Sequence, residues 1–270
     1  MSIFKNITII GAGNMGTAIA GGLVKFSDSN ICLANRSEAR LMNAKSSILS
    51  TAPEKEAALT VTTNIAESTE GSSLVVLAVK PWAIREVIDQ IKPNLGEGSV
   101  VVSVAAGIGT DDLKEMIGRE SVGVVYMIPN TALQIGKGMT FAASAGVSDE
   151  KIREIQALFS PLTRLKFIDE SKMGAATALC SCGIAYVYKF IAAAAQAGVE
   201  LGFTYDDAVD FFTATVSGAA AMVEATDKTL QELINAVTTP GGMTIRGVNE
   251  LDRRGFTAAV IDSIIAPLKK

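Results

Sequence analysis

Six short apolar runs recur through the first 130 residues, and the stretches between them are helical in spacing or turn-like. The runs are "NITII" (6–10), "ICLAN" (31–35), "LTVT" (59–62), "SLVVLAV" (73–79), "SVVVSVA" (99–105) and "VGVVYMI" (122–128). Several are apolar at nearly every position, as a parallel strand covered by helices on both faces must be. Residues 15–26, 37–49 and 82–91 carry the intervening helical patterns. This alternation restricts the chain to right-handed crossovers and a doubly wound sheet. A further pair, "GMTFAAS" (138–144) and "LKFID" (165–169), is expected to extend the sheet edge around a helix at 148–159. Past Asp169 no strand pattern recurs, and Ala- and Gly-rich helical stretches follow at 189–202, 204–225 and 229–237. The expected fold is α/β: a Rossmann-type, doubly wound, mostly parallel sheet in residues 1–168, then an all-α domain in residues 169–270.

Composition removes several functions. Hydrophobic residues make up 49% and charged residues 19% of the 270, which excludes a disordered chain. A net charge of -4 with scattered Lys and Arg leaves no basic footprint for nucleic acid or an anionic membrane surface. The start, "MSIFKNITIIGAGNMG", is interrupted by polar residues and glycine too early for a signal-peptide core. The uncharged run between Lys172 and Lys189 is shorter than a bilayer span and reads as a buried helix. Cys32, Cys180 and Cys182 lack metal spacing, and the last two face different ways on a helix. Reduced thiols and a cytoplasmic protein are expected. There is no histidine. Ser-His-Asp and Cys-His catalysis are therefore excluded, no metal site is expected, and the chemistry falls to a cofactor, a carboxylate, a lysine or backbone dipoles.

A nucleotide site is legible at the first strand. "GAGNMG" sets Gly11, Gly13 and Gly16 in G-x-G-x-x-G spacing between a strand and a helix, the context that gives the motif meaning. Gly11 allows the tight turn, Gly13 close approach of a pyrophosphate, and Gly16 close helix–strand packing. Asn14 and Met15 open the helix, whose positive end favours the phosphates. At the end of the second strand an acidic residue would select NAD; this chain has Asn35, Arg36 and Ser37. Arg36 can face a 2′-phosphate, which favours NADPH, with NADH possible. Val79, Lys80 and Pro81 end the fourth strand at the ligand-binding edge. Ala105, Ala106 and Gly107 of "VAAG", and Asn130 of "IPNT", end the next two. Asn64, after the third strand, completes the expected cofactor set.

Near the C-terminus, "TTPGGMTIRGVNEL" (238–251) puts Pro240, Gly241 and Gly242 directly before a helical segment, where a single capping residue would suffice. With "GAGNMG", "LAVKP" (77–81), "VAAGI" (104–108), "IPNT" (128–131), "AY" followed by "FI" (185–191), "AGVELG" (197–202), "PGGMTI" (240–245) and "LDRRGF" (251–256), the chain resembles the pyrroline-5-carboxylate reductase family over essentially its whole length. The resemblance implies a dinucleotide domain followed by a helical dimerisation domain. It also implies reduction of the cyclic imine L-1-pyrroline-5-carboxylate to L-proline with NAD(P)H, and dimers or rings of dimers. In the family the turn matching residues 239–244 holds the substrate carboxylate. Thr239, Gly241, Gly242 and Thr244 are thus the expected substrate contacts, and helix-terminal amides unobstructed by side chains suit a carboxylate independently. Thr244 is the expected catalytic residue, hydrogen-bonded to the ring nitrogen as it becomes an amine. A protonated imine is already a good hydride acceptor, so the missing histidine is no obstacle.

The departures from the family pattern cluster on the substrate side. Tyr126 stands where an arginine is usual, Ala132 and Ile184 where prolines are usual, and Thr229 and Leu230 where a His-Pro pair is usual. They leave three alternatives open. One is a reductase of another imine or of a keto or hydroxy acid, with Lys172 or Lys189 as proton donor. The others are a non-catalytic NADPH-binding regulatory protein and a purely structural helical dimer module, the last hard to square with an intact glycine fingerprint.

Overall fold

A computed structural model describes residues 3–269 and divides the chain into two compact units, Met1–Ser181 and Cys182–Lys270. In the first unit, β1 (Asn6–Ile10), α1 (Asn14–Phe26), β2 (Asn30–Ala34), α2 (Glu38–Thr51), β3 (Leu59–Thr62), β4 (Leu74–Leu77), α3 (Ile84–Ile91), β5 (Val100–Ser103) and α4 (Thr110–Ile117) alternate. They are followed by β6 (Gly123–Pro129), β7 (Gly138–Ala145), α5 (Asp149–Phe159), β8 (Thr163–Phe167) and the short α6 (Met173–Ala176). A π-helical turn, Thr177–Ser181, ends the unit.

The eight strands lie in the order β3-β2-β1-β4-β5-β6-β7-β8. Every pairing is parallel except β6 with β7, which is antiparallel. The expected edge pair therefore exists. β7 is the strand that turns back, and β8 re-enters parallel to it after α5. β4 and β5, "LVVL" and "VVVS", are buried at every position, which explains their uninterrupted apolar sequence. Thr8 is the buried polar residue of β1, and its hydroxyl is satisfied by Ser68 O and Ser72 Oγ. Core side chains divide between the two sheet faces. Phe4, Ile19, Leu23, Leu33 and Phe159 belong to one cluster, Ile84, Ile88, Leu113 and Val124 to a second, and Tyr126, Ile128, Ala143 and Met173 to a smaller third.

The second unit contains α7 (Gly183–Glu200), α8 (Tyr205–Ala225), α9 (Leu230–Val237), α10 (Met243–Arg253) and α11 (Phe256–Ile265). Phe190 makes ring contacts with Phe212 and Phe256, tying α7 to α8 and α11. The expectation of a buried helix after Lys172 is corrected. Only Ala195 of α7 is buried, and Val187, Tyr188, Phe190 and Val199 stand exposed. The helical run is also longer than the uncharged stretch. Glu170–Glu200 spans 31 residues and contains an 18-residue stretch with a mean hydropathy of 1.5, long and apolar enough by length and composition to cross a bilayer. Small residues at alternate turns give the run an interior look, but they leave a face uncovered among the described residues.

Candidate functional site

The strand order reverses at β1, whose neighbours are β2 on one side and β4 on the other. Crossovers depart in opposite directions there and leave a crevice beyond the carboxyl ends. A cleft of about 1720 Å³ opens at this place. Its wall includes Gly11, Gly13, Asn14 and Met15 after β1; Asn35 and Arg36 after β2; Val79, Lys80 and Pro81 after β4; and Ala105 and Ala106 after β5. Eleven of the expected cofactor residues are thereby brought together. Gly16, Asn64, Gly107 and Asn130 do not line it.

The three fingerprint glycines are explained one by one. Gly11 adopts φ +115°, and a Cβ there would lie 2.5 Å from Ala78 O. At Gly16 a Cβ would lie 1.8 Å from Gly11 O, so this glycine lets the start of α1 fold back on the turn. A Cβ at Gly13 would meet nothing within 4 Å. The protein does not need glycine there for its own packing; the open space before an α1 terminus that no side chain caps is a cradle for an anion. Asn35 holds this turn in place, its Oδ1 accepting from Ala12 N at 3.3 Å and its Nδ2 donating to Ser37 O at 3.2 Å. Asn35 thus acts through the glycine turn.

Charge makes the same point. Lys25, Arg36, Arg40 and Lys80 line the cleft and no Asp or Glu does, in a chain of net charge -4. Such segregation builds a local positive field that a polyphosphate can use. Arg36 is engaged across the cleft mouth, its Nη1 donating to Glu86 Oε1 at 3.1 Å, with both side chains more than half exposed. Asn64 caps its own turn by accepting from Glu67 N. Asn130 braces the β6–β7 connection through Met139. Gly107 adopts φ +81°, and its N–H donates to the buried Tyr126 hydroxyl at 3.1 Å. The tyrosine that departs from the family pattern therefore anchors the "VAAG" loop. The buried Ser181 Oγ, from the π-helical turn, also borders the cleft and has no hydrogen-bond partner among the described residues. Sequence reasoning missed Arg40, Glu86, Trp82 and Ser181. Only Trp82 carried a signal, as the chain's single tryptophan beside "LAVKP".

In the second unit the Pro-Gly-Gly segment is a type II turn. Gly242 N donates to Thr239 O at 3.0 Å, Pro240 sits at the second position, and Gly241 at the third has φ +73°, which only glycine adopts easily. A Cβ on Gly242 would lie 2.5 Å from Thr239 Oγ1, and one on Gly241 would meet nothing. Gly242 caps α10 without a side chain, and Thr244 lies exposed in the first turn. The turn thus presents an uncapped helix end flanked by two hydroxyl-bearing residues. Arg246 Nη2 donates to Gly241 O at 3.3 Å and braces it from one side. Thr229 opens α9 in a reciprocal cap with Glu232, and its N–H, then its hydroxyl, hold that carboxyl below the usual range. Leu230 follows it, exposed, and Ile184 and Ala132 lie in helical turns. No group of three or more His, Cys, Asp or Glu side chains gathers in a metal-binding cluster among the described residues.

Residues 170–270 match the model for pyrroline-5-carboxylate reductase dimerisation, and residues 6–107 match that for NADP oxidoreductase, coenzyme F420-dependent. A pyrroline-5-carboxylate reductase of Pisum sativum is 33% identical over 97% of this chain and 93% of its own. The chain belongs to the pyrroline-5-carboxylate reductase family. It spans half the length of the Dictyostelium discoideum pyrroline-5-carboxylate reductase 1, at 31% identity. The solved structure of a pyrroline-5-carboxylate reductase from Coxiella burnetii superposes with a TM-score of 0.88, at 28% identity over 98% of this chain and 96% of that one. The Plasmodium falciparum pyrroline carboxylate reductase, solved with NADP bound, gives 0.82 at 27% identity over 99% and 96%. The correspondence with the family thus extends over both units.

Proposed function

We propose that the protein reduces L-1-pyrroline-5-carboxylate to L-proline with NADPH, the closing reduction of proline biosynthesis. The observation that carries the cofactor half is the cleft at the sheet's switch point, which holds an open Gly13 and whose described lining residues include Arg36, Arg40 and Lys80 and no carboxylate. The residues fit a phosphorylated dinucleotide. Gly11, Gly13 and the amides of Asn14 and Met15 would hold the pyrophosphate, and Arg36 would take the 2′-phosphate once it parts from Glu86. Lys80, Pro81, Ala105 and Ala106, the last two on the loop fixed by Tyr126, would hold the remainder of the dinucleotide. NADPH, when bound, supplies the hydride.

The chain's own work is binding and orientation. The imine substrate carries a carboxylate, and the uncapped start of α10 offers it amides at the positive end of a helix, opened by Gly241 and Gly242. Thr239 and Thr244 add hydroxyl donors. Before transfer the ring nitrogen is a protonated imine without a lone pair. When hydride reaches the imine carbon, the C=N π electrons become that lone pair, and the Thr244 hydroxyl donates to it. No histidine is required, and none exists.

The protein self-associates through its helical unit, in keeping with the dimerisation model that matches it. The exposed apolar residues of α7, α8 and α11 supply the surface, so Glu170–Glu200 is read as a helix that meets a second copy rather than a bilayer. Closed rings of dimers and a cytoplasmic location belong to the same reading. A deuterium label tests the chemistry directly. With NADPH deuterated at the transferring C4 position, the label must appear at C5 of the proline formed. Unlabelled proline, or no proline, refutes the assignment.

A further inference from the structure

Trp82 is the chain's single tryptophan, and at 82% exposure it is the most exposed large apolar side chain of the first unit. It stands on the cleft wall in the 3-10 turn Pro81–Ala83, immediately after Lys80. Glu86, four residues on, reaches Arg36 at 3.1 Å. The pair shows that the Trp82 segment lies beside the end of β2 before any ligand arrives, so the indole and the 2′-phosphate-seeking guanidinium share one end of the cleft. The polar parts of a dinucleotide find cations and amides along this wall, but its purine has two apolar faces that require a flat surface. The other aromatic side chain of the cleft is Phe26, at the far end of α1, about 20 Å along that helix from Gly13.

We propose that Trp82 is the platform on which the adenine ring of the cofactor stacks, with Arg36 beside it on the 2′-phosphate. The proposal rests on the cleft being the NADPH site. It makes Trp82 a binding residue that no motif specifies, placed by Pro81 in the turn that follows β4. A platform of this kind accepts any purine, so selection between NADPH and NADH stays with Arg36.

Trp82 emission reports on the indole alone, because no second tryptophan exists. The full-length protein is titrated with adenosine 2′,5′-bisphosphate, which has the adenine and the 2′-phosphate but no nicotinamide, and separately with nicotinamide mononucleotide. Calorimetry measures binding in parallel. The expected result is saturable quenching by the bisphosphate and none by the mononucleotide. Trp82→Ala should raise the calorimetric Kd for the bisphosphate about five- to hundredfold, the worth of one base–aromatic stack, and Trp82→Phe should restore most of it. Bisphosphate binding with unchanged emission and an unchanged Kd in Trp82→Ala overturns the platform and leaves the cofactor site standing. No bisphosphate binding to the wild-type protein overturns both. Emission that follows protein dilution rather than nucleotide places Trp82 at a contact between copies and also overturns the proposal.

Discussion

Single side chains decide how the cleft is set. Arg36 and Glu86 are paired before any ligand arrives, so a 2′-phosphate must displace a carboxylate to reach the guanidinium. Glu86→Gln removes both the competitor and a repelling charge. It should lower Kd for NADPH about two- to fivefold, the scale of an exposed ion pair, and leave NADH unchanged. Equal effects on both cofactors would detach Arg36 from the 2′-phosphate. Tyr126 carries a second consequence. Tyr126→Phe strips the Gly107 amide of its acceptor, which costs about 1 kcal/mol and loosens the "VAAG" loop. The melting temperature should fall and KM for NADPH rise, with kcat nearly constant. Thr244 should behave differently, because the hydrogen bond proposed for it forms only as the ring nitrogen gains its lone pair. Thr244→Ala should lower kcat about ten- to hundredfold while Thr244→Ser keeps most of it. Full turnover in Thr244→Ala at saturating substrate would remove its chemical role.

Elements depend on caps that the sequence discloses unevenly. The Thr229–Glu232 pair is legible as T-x-x-E, and the structure contains both of its hydrogen bonds. The Glu232 pKa is lowered in the folded state, so its contribution is present above the ordinary glutamate range and lost as pH falls through the lowered value. Thr229→Ala should destabilise the protein by about 1 kcal/mol near neutral pH and by less at acidic pH, read as denaturation midpoints. A loss that does not shrink on acidification would separate the cap from the carboxylate. The N-terminus of α4 is held by the Glu170 carboxylate, which accepts from the Thr110 N–H at 2.8 Å and from its hydroxyl across 60 residues of sequence. No local pattern announces that partner, and α4 went unread in "GTDDLKEMI". The helix read at 82–91 begins later, because Pro81 opens a 3-10 turn before Ile84. Strands were legible where burial on both faces forces uniform residues, as in "LVVL", and blurred by a residue or two where loops share their composition. Glu86 and the Ser181 hydroxyl were invisible because only tertiary packing pairs the one with Arg36 and sets the other on the cleft wall.

For the whole molecule, the two units divide the labour. The α/β unit supplies its own core and the cleft proposed for the nucleotide. The helical unit leaves Tyr188, Phe211, Val223, Ile261 and Ile265 exposed, more apolar surface than a lone domain tolerates well. Charging that surface with Val223→Asp and Ile261→Asp should shift sedimentation toward the monomer while NADPH binding to the first unit persists. An unchanged sedimentation coefficient would move the interface elsewhere. The central claim is that the cleft delivers hydride to a cyclic imine recognised by its carboxylate. The most direct test is NADPH consumption with L-1-pyrroline-5-carboxylate, run beside 1-pyrroline, which lacks the carboxylate, and a panel of 2-keto acids. Rapid oxidation with stoichiometric proline, a far lower kcat/KM for 1-pyrroline and none for the keto acids is the predicted result. NADPH binding without turnover on the carboxylated imine would contradict it, and the substrate-side replacements from Tyr126 to Leu230 would then mark a protein that binds the cofactor for another purpose.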